Sequence, residues 1–371
     1  MKILHLLDYP PIGGARVAAE AVIQCVGGSA CTPNDFGRLT LWVRAVRTVG
    51  GFCDPVLRRR MRAWLLGCAP EFVHIHNFKE FGTAAIAACK DLGIPVVWSC
   101  YDYWCLSPRD IETSFSWRTY QPAKGRHYPP IAKLPLLGRQ RRIMRWMNRL
   151  DAVIALSEDS KRRLRDGGLV VPQIHVVPLP VTVPKFEMAS PLESAVHVAR
   201  GGPPPAPLFG PVPGDRLVRD PNLVLFVGGH APHKGKHIFD AAMKIVQSER
   251  HEAVGKSMVG ANRHQVLREI ARAACLVVPE QWPNPGPVVV VEAQLLGTPV
   301  VASNIGGIPE LRPYRLCGHN DPRAFAGAIS EIISMYCPWH AGEAWQEIAR
   351  RRHGHAVIRE KITEVYASCA Y

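Results

Sequence analysis

Short, continuously apolar runs alternate with stretches of helical periodicity along most of this chain, and that alternation restricts the fold more than any other feature. Residues 2–8, 72–77, 95–101, 152–157 and 174–179 are rich in branched aliphatic side chains and bounded by turn residues. Between them, segments such as 82–92 and 157–165 carry apolar residues at helical spacing. A strand without polar alternation has both faces covered, so these runs predict a parallel sheet between two helix layers. From 183 to 222 the pattern stops: nine prolines fall in that stretch, Pro203-Pro204-Pro205 among them, as in a semi-rigid linker or surface excursion. It resumes with strands at 223–227, 275–279 and 299–303 and helices at 238–247, 266–274, 288–296 and 324–333. A last helical stretch, 344–370, contains Gly354 and is long enough to run back towards the first half. The 371 residues exceed the length at which one core stops growing, roughly 250–300. The expected organisation is α/β: a first lobe over 1–182, the connection 183–222, a second lobe over 223–340, and a returning helix in 341–371.

Lysine and arginine exceed aspartate and glutamate by 45 to 31, a net charge of +14, which points to an anionic partner. The excess is concentrated. From 113 to 150 there is no acidic residue, while Arg118, Lys124, Arg126, Lys133, Arg139, Arg141, Arg142, Arg145 and Arg149 are all positive. Within 139–150, Ile143, Trp146, Met147 and Leu150 form a helical stripe between arginines. That pattern suits an interfacial helix on an anionic membrane, and equally an ordinary helix whose stripe packs on its own lobe. Nucleic acid ranks behind both, because no recognised binding module accompanies the charge. The opening apolar run, residues 3–7, is too short for a signal-peptide core, and no run approaches the ~20 residues that span a bilayer. The eleven cysteines are scattered, with no Cys-x-x-Cys pair, as expected of reduced thiols in a cytoplasmic protein rather than a disulfide framework or zinc site.

Two loops follow strands where α/β sheets bind ligands. Ile12-Gly13-Gly14-Ala15 follows the first apolar run and precedes a helical pattern, so backbone N–H groups there can approach a phosphate, although a plain turn has the same composition. In the second lobe, Gly228-Gly229-His230-Ala231-Pro232-His233-Lys234-Gly235 holds the equivalent place, which sets Lys234 as a point charge for a phosphate.

The run Val277-Val278-Pro279, Trp282-Pro283-Asn284-Pro285-Gly286-Pro287, Glu292-Ala293, Gly297-Thr298-Pro299 and Gly306-Gly307-Ile308-Pro309-Glu310 resembles the donor-binding core of retaining glycosyltransferases with the GT-B fold, the group 1 or family 4 class. His74-Ile75-His76-Asn77 and Tyr101-Asp102-Tyr103-Trp104 resemble its acceptor-lobe motifs. The resemblance implies two Rossmann-like doubly wound lobes facing a cleft. It implies transfer of a sugar from a nucleotide-sugar donor to a glycan or lipid-linked acceptor, with retention of configuration and with neither a cofactor nor a metal. On this pattern the donor meets Gly13, Gly14, Gly229, His230, Lys234, Gly286, Pro287 and Glu292, the last accepting from the ribose hydroxyls. Tyr101, Asp102 and Asn284 stand at the reacting centre. A cytoplasmic location, peripheral at the inner membrane face through the 139–150 helix, follows from the same reading.

The chain departs from the family pattern at named positions. Two glutamates separated by seven residues are usual; here the first is Asn284 and the second Glu292, while Glu280 lies four residues too early for that slot without a loop rearrangement. Tyr101 stands where relatives with the Asp-Tyr-Trp motif usually carry histidine, and Gly229 where many carry arginine. The stretch 248–260 resembles a shortened remnant of a strand and helix. These departures support the alternative of a degenerate GT-B protein that binds a nucleotide-sugar or glycan without turnover.

Overall fold

A computed structural model describes residues 1–7, 14–32, 35, 53–78, 81–106, 130–188, 217–229, 231–335 and 342–369. They fall into two compact units, Met1–Pro180 with His355–Tyr371, and Val181–Gly354.

Unit 1 is built on six parallel strands: β1 (Ile3–Leu6), β2 (Ser29–Cys31), β3 (Phe72–Ile75), β4 (Val96–Cys100), β5 (Ala152–Ala155) and β6 (Gln173–Val176). Their spatial order is β2-β1-β3-β4-β5-β6. Every residue of β1, β3, β4 and β5 is buried, as continuous apolar runs require. Helices α1 (Gly14–Val26), α2 (Pro55–Cys68), α3 (Ala84–Asp91), α4 (Pro130–Met147) and α5 (Glu158–Asp166) connect them. Their starts are written locally. Asp54 accepts from the N–H groups of Val56 and Leu57, with Pro55 in the first turn of α2, and Ser157 caps α5 ahead of Glu158 and Asp159. Each such cap is worth ~1 kcal/mol.

Unit 2 repeats the architecture with β7 (Asp220–Val227), β8 (Val254–Met258), β9 (Ala273–Val278), β10 (Val300–Ser303) and β11 (Arg315–Cys317), all parallel, in the order β11-β10-β9-β7-β8. Its helices are α6 (Lys236–Glu249), α7 (Arg263–Arg272), α8 (Val288–Leu295), α9 (Pro322–Ser334) and α10 (Gly342–His353). Phe226, Phe239, Val277 and Phe325 centre its core. In both units the strand order reverses beside the first strand, between β1 and β3 and between β7 and β9, the place where open sheets bind ligands at their carboxyl ends.

The 344–370 stretch is two helices, α10 and α11 (His355–Ser368), parted at Gly354. Only α11 belongs to unit 1, where Ile358, Ile362, Val365 and Tyr366 join Ile3, Val22, Val97 and Ala152 in one core.

One strand was not expected, and one expectation needs correction. In the 248–260 stretch β8 pairs with β7 over five registered residues, and α7 follows it. Its Val-Gly-Lys-Ser sequence hid a strand because β8 is an exposed edge with no apolar alternation. The 139–150 stripe does not face a membrane. Ile143, Met147 and Leu150 are each at most 1% exposed and pack inside unit 1, while Arg141, Arg142, Arg145 and Arg149 remain exposed. Trp146 lies between the Arg149 and Arg58 guanidinium groups, at 4.7 and 5.6 Å from its ring centre. No helix among the described residues is long and apolar enough to cross a membrane.

Candidate functional site

In unit 2 the turns leaving β7 and β9 meet. The chain after Val227 makes a single 3-10 turn, Pro232–Lys234, before α6. Gly235 lets that turn fit: its φ is +76°, and a Cβ there would stand 1.7 Å from the Pro279 carbonyl oxygen. The Gln281 N–H donates to the His233 carbonyl at 2.7 Å, and the His233 ring meets Trp282 edge-on. Burial, and then the charge of Lys234, hold the His233 imidazole below its ordinary pKa.

The contact between these turns is ionic. Lys234 Nζ donates to Glu280 Oε1 at 2.7 Å, and Asn284 Nδ2 donates to the same oxygen at 3.1 Å. Asn284 Oδ1 accepts from the Gly286 N–H at 3.1 Å. The Asn284 carbonyl accepts from the Gly307 N–H at 2.9 Å, and Gly306 is where the chain passes so close to Pro283 that a Cβ would lie 2.6 Å from its Cα. Asn284 is thus fixed on both sides. The Gly286 N–H is thereby held within its own turn.

Glu292, on α8, is buried and accepts at Oε1 from Arg263 Nε and Nη2 at 3.0 and 2.9 Å. Burial raises its carboxyl pKa, against the pull of Arg263. Arg263 also donates to the Thr182 carbonyl. Pro287 stands at the start of α8 and is buried, and Gly229 is exposed. Gly13 and His230 lie outside the described residues.

In unit 1 the polar group is different in kind. Gly14 opens α1 and is exposed. His5 on β1 and His74 on β3 are cross-strand partners, and His76 follows at the end of β3 on the same face as His74. All three are at most 1% exposed. Burial, and for His74 and His76 the neighbouring imidazoles, push their pKa values down, so the three rings are neutral.

All six ring nitrogens have partners, and those partners order the protons. The Gly27 carbonyl can only accept, so His5 Nε2 donates to it, at 2.9 Å. Neutral His5 then accepts at Nδ1 from His76 Nε2, 3.0 Å away, and His76 Nδ1 accepts from the Tyr101 hydroxyl at 2.9 Å. His74 bridges the Tyr366 hydroxyl (2.7 Å) and Ser99 Oγ (2.8 Å). These nitrogens are close enough to be considered for a metal ion. However, each already holds a hydrogen bond, and the rings stack rather than converge, His74 and His76 at 4.3 Å and 26°. The arrangement is a hydrogen-bond network.

Tyr101 is therefore committed inwards, and burial raises its pKa further from any basic role at neutral pH. Asp102 is half-buried beside it, its carbonyl 3.0 Å from Cys100 Sγ. Tyr103 ties the motif to α5 through Ser160 Oγ at 3.1 Å. Reading the sequence missed His5 and Ser99, whose only signal was a polar residue inside an apolar strand, and Arg263, which carried none.

A family model described as Glycosyltransferase Family 4 matches residues 25–183, and one described as Glycosyl transferases group 1 matches residues 255–335. The D-inositol 3-phosphate glycosyltransferase of Xylanimonas cellulosilytica is 24% identical over 237 residues, spanning 58% of this chain and 57% of that protein. Among solved structures, sucrose-phosphate synthase from Thermosynechococcus elongatus superposes with a TM-score of 0.67 at 15% identity, covering 99% of this chain and 98% of that one. HepE from Anabaena, in complex with UDP-glucose, superposes with a TM-score of 0.66 at 18% identity, covering 99% and 100%.

Proposed function

The chain belongs to the group 1 glycosyltransferases of GT-B fold, and from that premise we propose that it moves a sugar from a nucleoside-diphosphate donor to a hydroxyl of a glycan or lipid-linked acceptor, with retention of configuration. The observation that carries this reading is Lys234, held by Glu280 beside Asn284 at the carboxyl ends of β7 and β9. One of its N–H bonds is spent on Glu280, and the remaining two suit the oxygens of a leaving diphosphate. In this proposal Lys234 supplies the positive charge that transferases of other designs take from a metal. Glu292 serves the ribose hydroxyls with the oxygen that Arg263 does not occupy. On unit 1 the acceptor meets the half-buried Tyr101 and Asp102, which stand on the buried histidine network. The exposed Arg141, Arg142, Arg145 and Arg149 draw the protein to an anionic surface by charge alone, at ~1 kcal/mol each.

A second reading, binding without turnover, rests on Asn284 and on the inward commitment of Tyr101. A panel of UDP-, GDP- and ADP-sugars, assayed for binding and for slow donor hydrolysis, separates the two. Hydrolysis or transfer with any donor supports the enzyme, whereas binding without either supports the second reading. Lys234→Ala is expected to weaken donor binding ten- to a hundredfold and, by leaving the buried Glu280 without its counter-ion, to lower the thermal midpoint as well. Unchanged affinity would remove Lys234 from the diphosphate. Co-sedimentation with anionic vesicles should fall when the four arginines become glutamine.

A further inference from the structure

Glu280 is 3% exposed, and its two oxygens are unequally served. Oε1 accepts from both Lys234 and Asn284, while Oε2 is buried without a hydrogen-bond partner among the described residues. Asn284 owes its orientation to the Gly286 N–H, which takes the amide oxygen and turns the NH2 group towards Glu280. A carboxylate at 284 would bring a second negative oxygen to within about 3 Å of the first, and two carboxylates that close cannot both ionise. A neutral donor at 284 and a carboxylate at 280 therefore belong together.

We infer that Glu280 carries the negative charge of the donor site from a position four residues before the usual one, with Asn284 as its neutral hydrogen-bonded partner and Lys234 as its counter-ion. This rests on the nucleotide-sugar reading above. Glu280 is a positioning residue: it aims Lys234 and Asn284, and Oε2 keeps one acceptor for a further hydroxyl donor. The site has moved its charge, not lost it. Replacing Asn284 by an acid consequently harms the site instead of repairing it.

Isosteric exchange tests this. Glu280→Gln leaves no carboxylate at the pair, Asn284→Asp leaves two, and the double variant Glu280→Gln with Asn284→Asp leaves one, moved to 284. Calorimetric titration with UDP-glucose, or with whichever donor the panel selects, should show each single variant weakened about tenfold and the double variant recovered to within about threefold of the parent. A double variant no better than its worse parent, or an Asn284→Asp variant that binds as well as the parent, overturns the inference. A second arm needs no ligand. The other titratable groups among the described residues of these turns are Lys234 and His233. The thermal midpoint of Asn284→Asp relative to the parent should drop more at pH 8 than at pH 5.5, because acid protonates one of the two carboxyls; the double variant should lose that extra pH dependence. Equal drops at both pH values overturn the shared charge. If this arm succeeds while no nucleotide-sugar binds, it is the proposed function that fails.

Discussion

The two units share a parallel sheet and a reversal point beside the first strand, yet they furnish those points with opposite chemistry. Unit 2 gathers ions: Lys234 on Glu280, and Arg263 on Glu292. Unit 1 gathers neutral groups: His5, His74, His76, Ser99, Tyr101 and Tyr366, joined by hydrogen bonds with burial keeping the imidazoles uncharged. One topology thus carries two kinds of chemistry, since what a carboxyl-end loop presents depends on the few side chains placed there. A field of fixed charge suits a nucleoside diphosphate. A fully paired, buried neutral network instead braces the strand ends that it joins.

The contrast can be broken most forcefully with acid. The three histidines are depressed in the folded state and titrate near 6.5 when unfolded, so the unfolded chain binds more protons below that pH. Their stabilisation is present above pH 6.5 and is lost as pH falls below it. Urea titrations between pH 7 and 5.5 should show unit 1 losing stability faster than unit 2, where His233 is shifted the same way. Equal losses would remove the difference in kind.

Next in size is Gly235→Ala. The new Cβ meets the Pro279 carbonyl and sits at a φ of +76°, so the junction of the β7 and β9 turns must open. A cost of about 2–3 kcal/mol is expected, confined to unit 2 and accompanied by loss of donor binding. Smaller still is Tyr101→Phe. It leaves His76 Nδ1 buried without a donor and should cost unit 1 about 1–2 kcal/mol. If Tyr101→Phe costs nothing, the Tyr101 hydroxyl is not the partner that satisfies His76 Nδ1.

Much of the fold was legible because β1, β3, β4, β5, β9 and β10 are buried on both faces, and burial writes itself as unbroken apolar sequence. β8 was not, since an edge strand is excused from that rule. Lys234 was legible from its place beside a strand end, and Asn284 and Glu292 through the family resemblance. Glu280 was visible, but its role was not: sequence spacing measures distance along a turn, and here the turn folds residue 280 back against residue 284. The 139–150 stripe is the converse case. Its period was right, but a helical period does not say which surface the stripe meets.

Unit 1 is assembled from two stretches of chain with all of Val181–Gly354 between them, and Tyr366, from the second stretch, supplies a hydrogen bond to His74. During synthesis at ~5–20 residues per second, the strands of unit 1 therefore wait for tens of seconds before the helix that covers them emerges. Unit 2, continuous in sequence, has all its parts earlier. The half that is made first is the half that is completed last, so a nascent chain passes through an interval in which its histidine-bearing sheet lacks one wall. That interval is when this protein most needs shelter from aggregation.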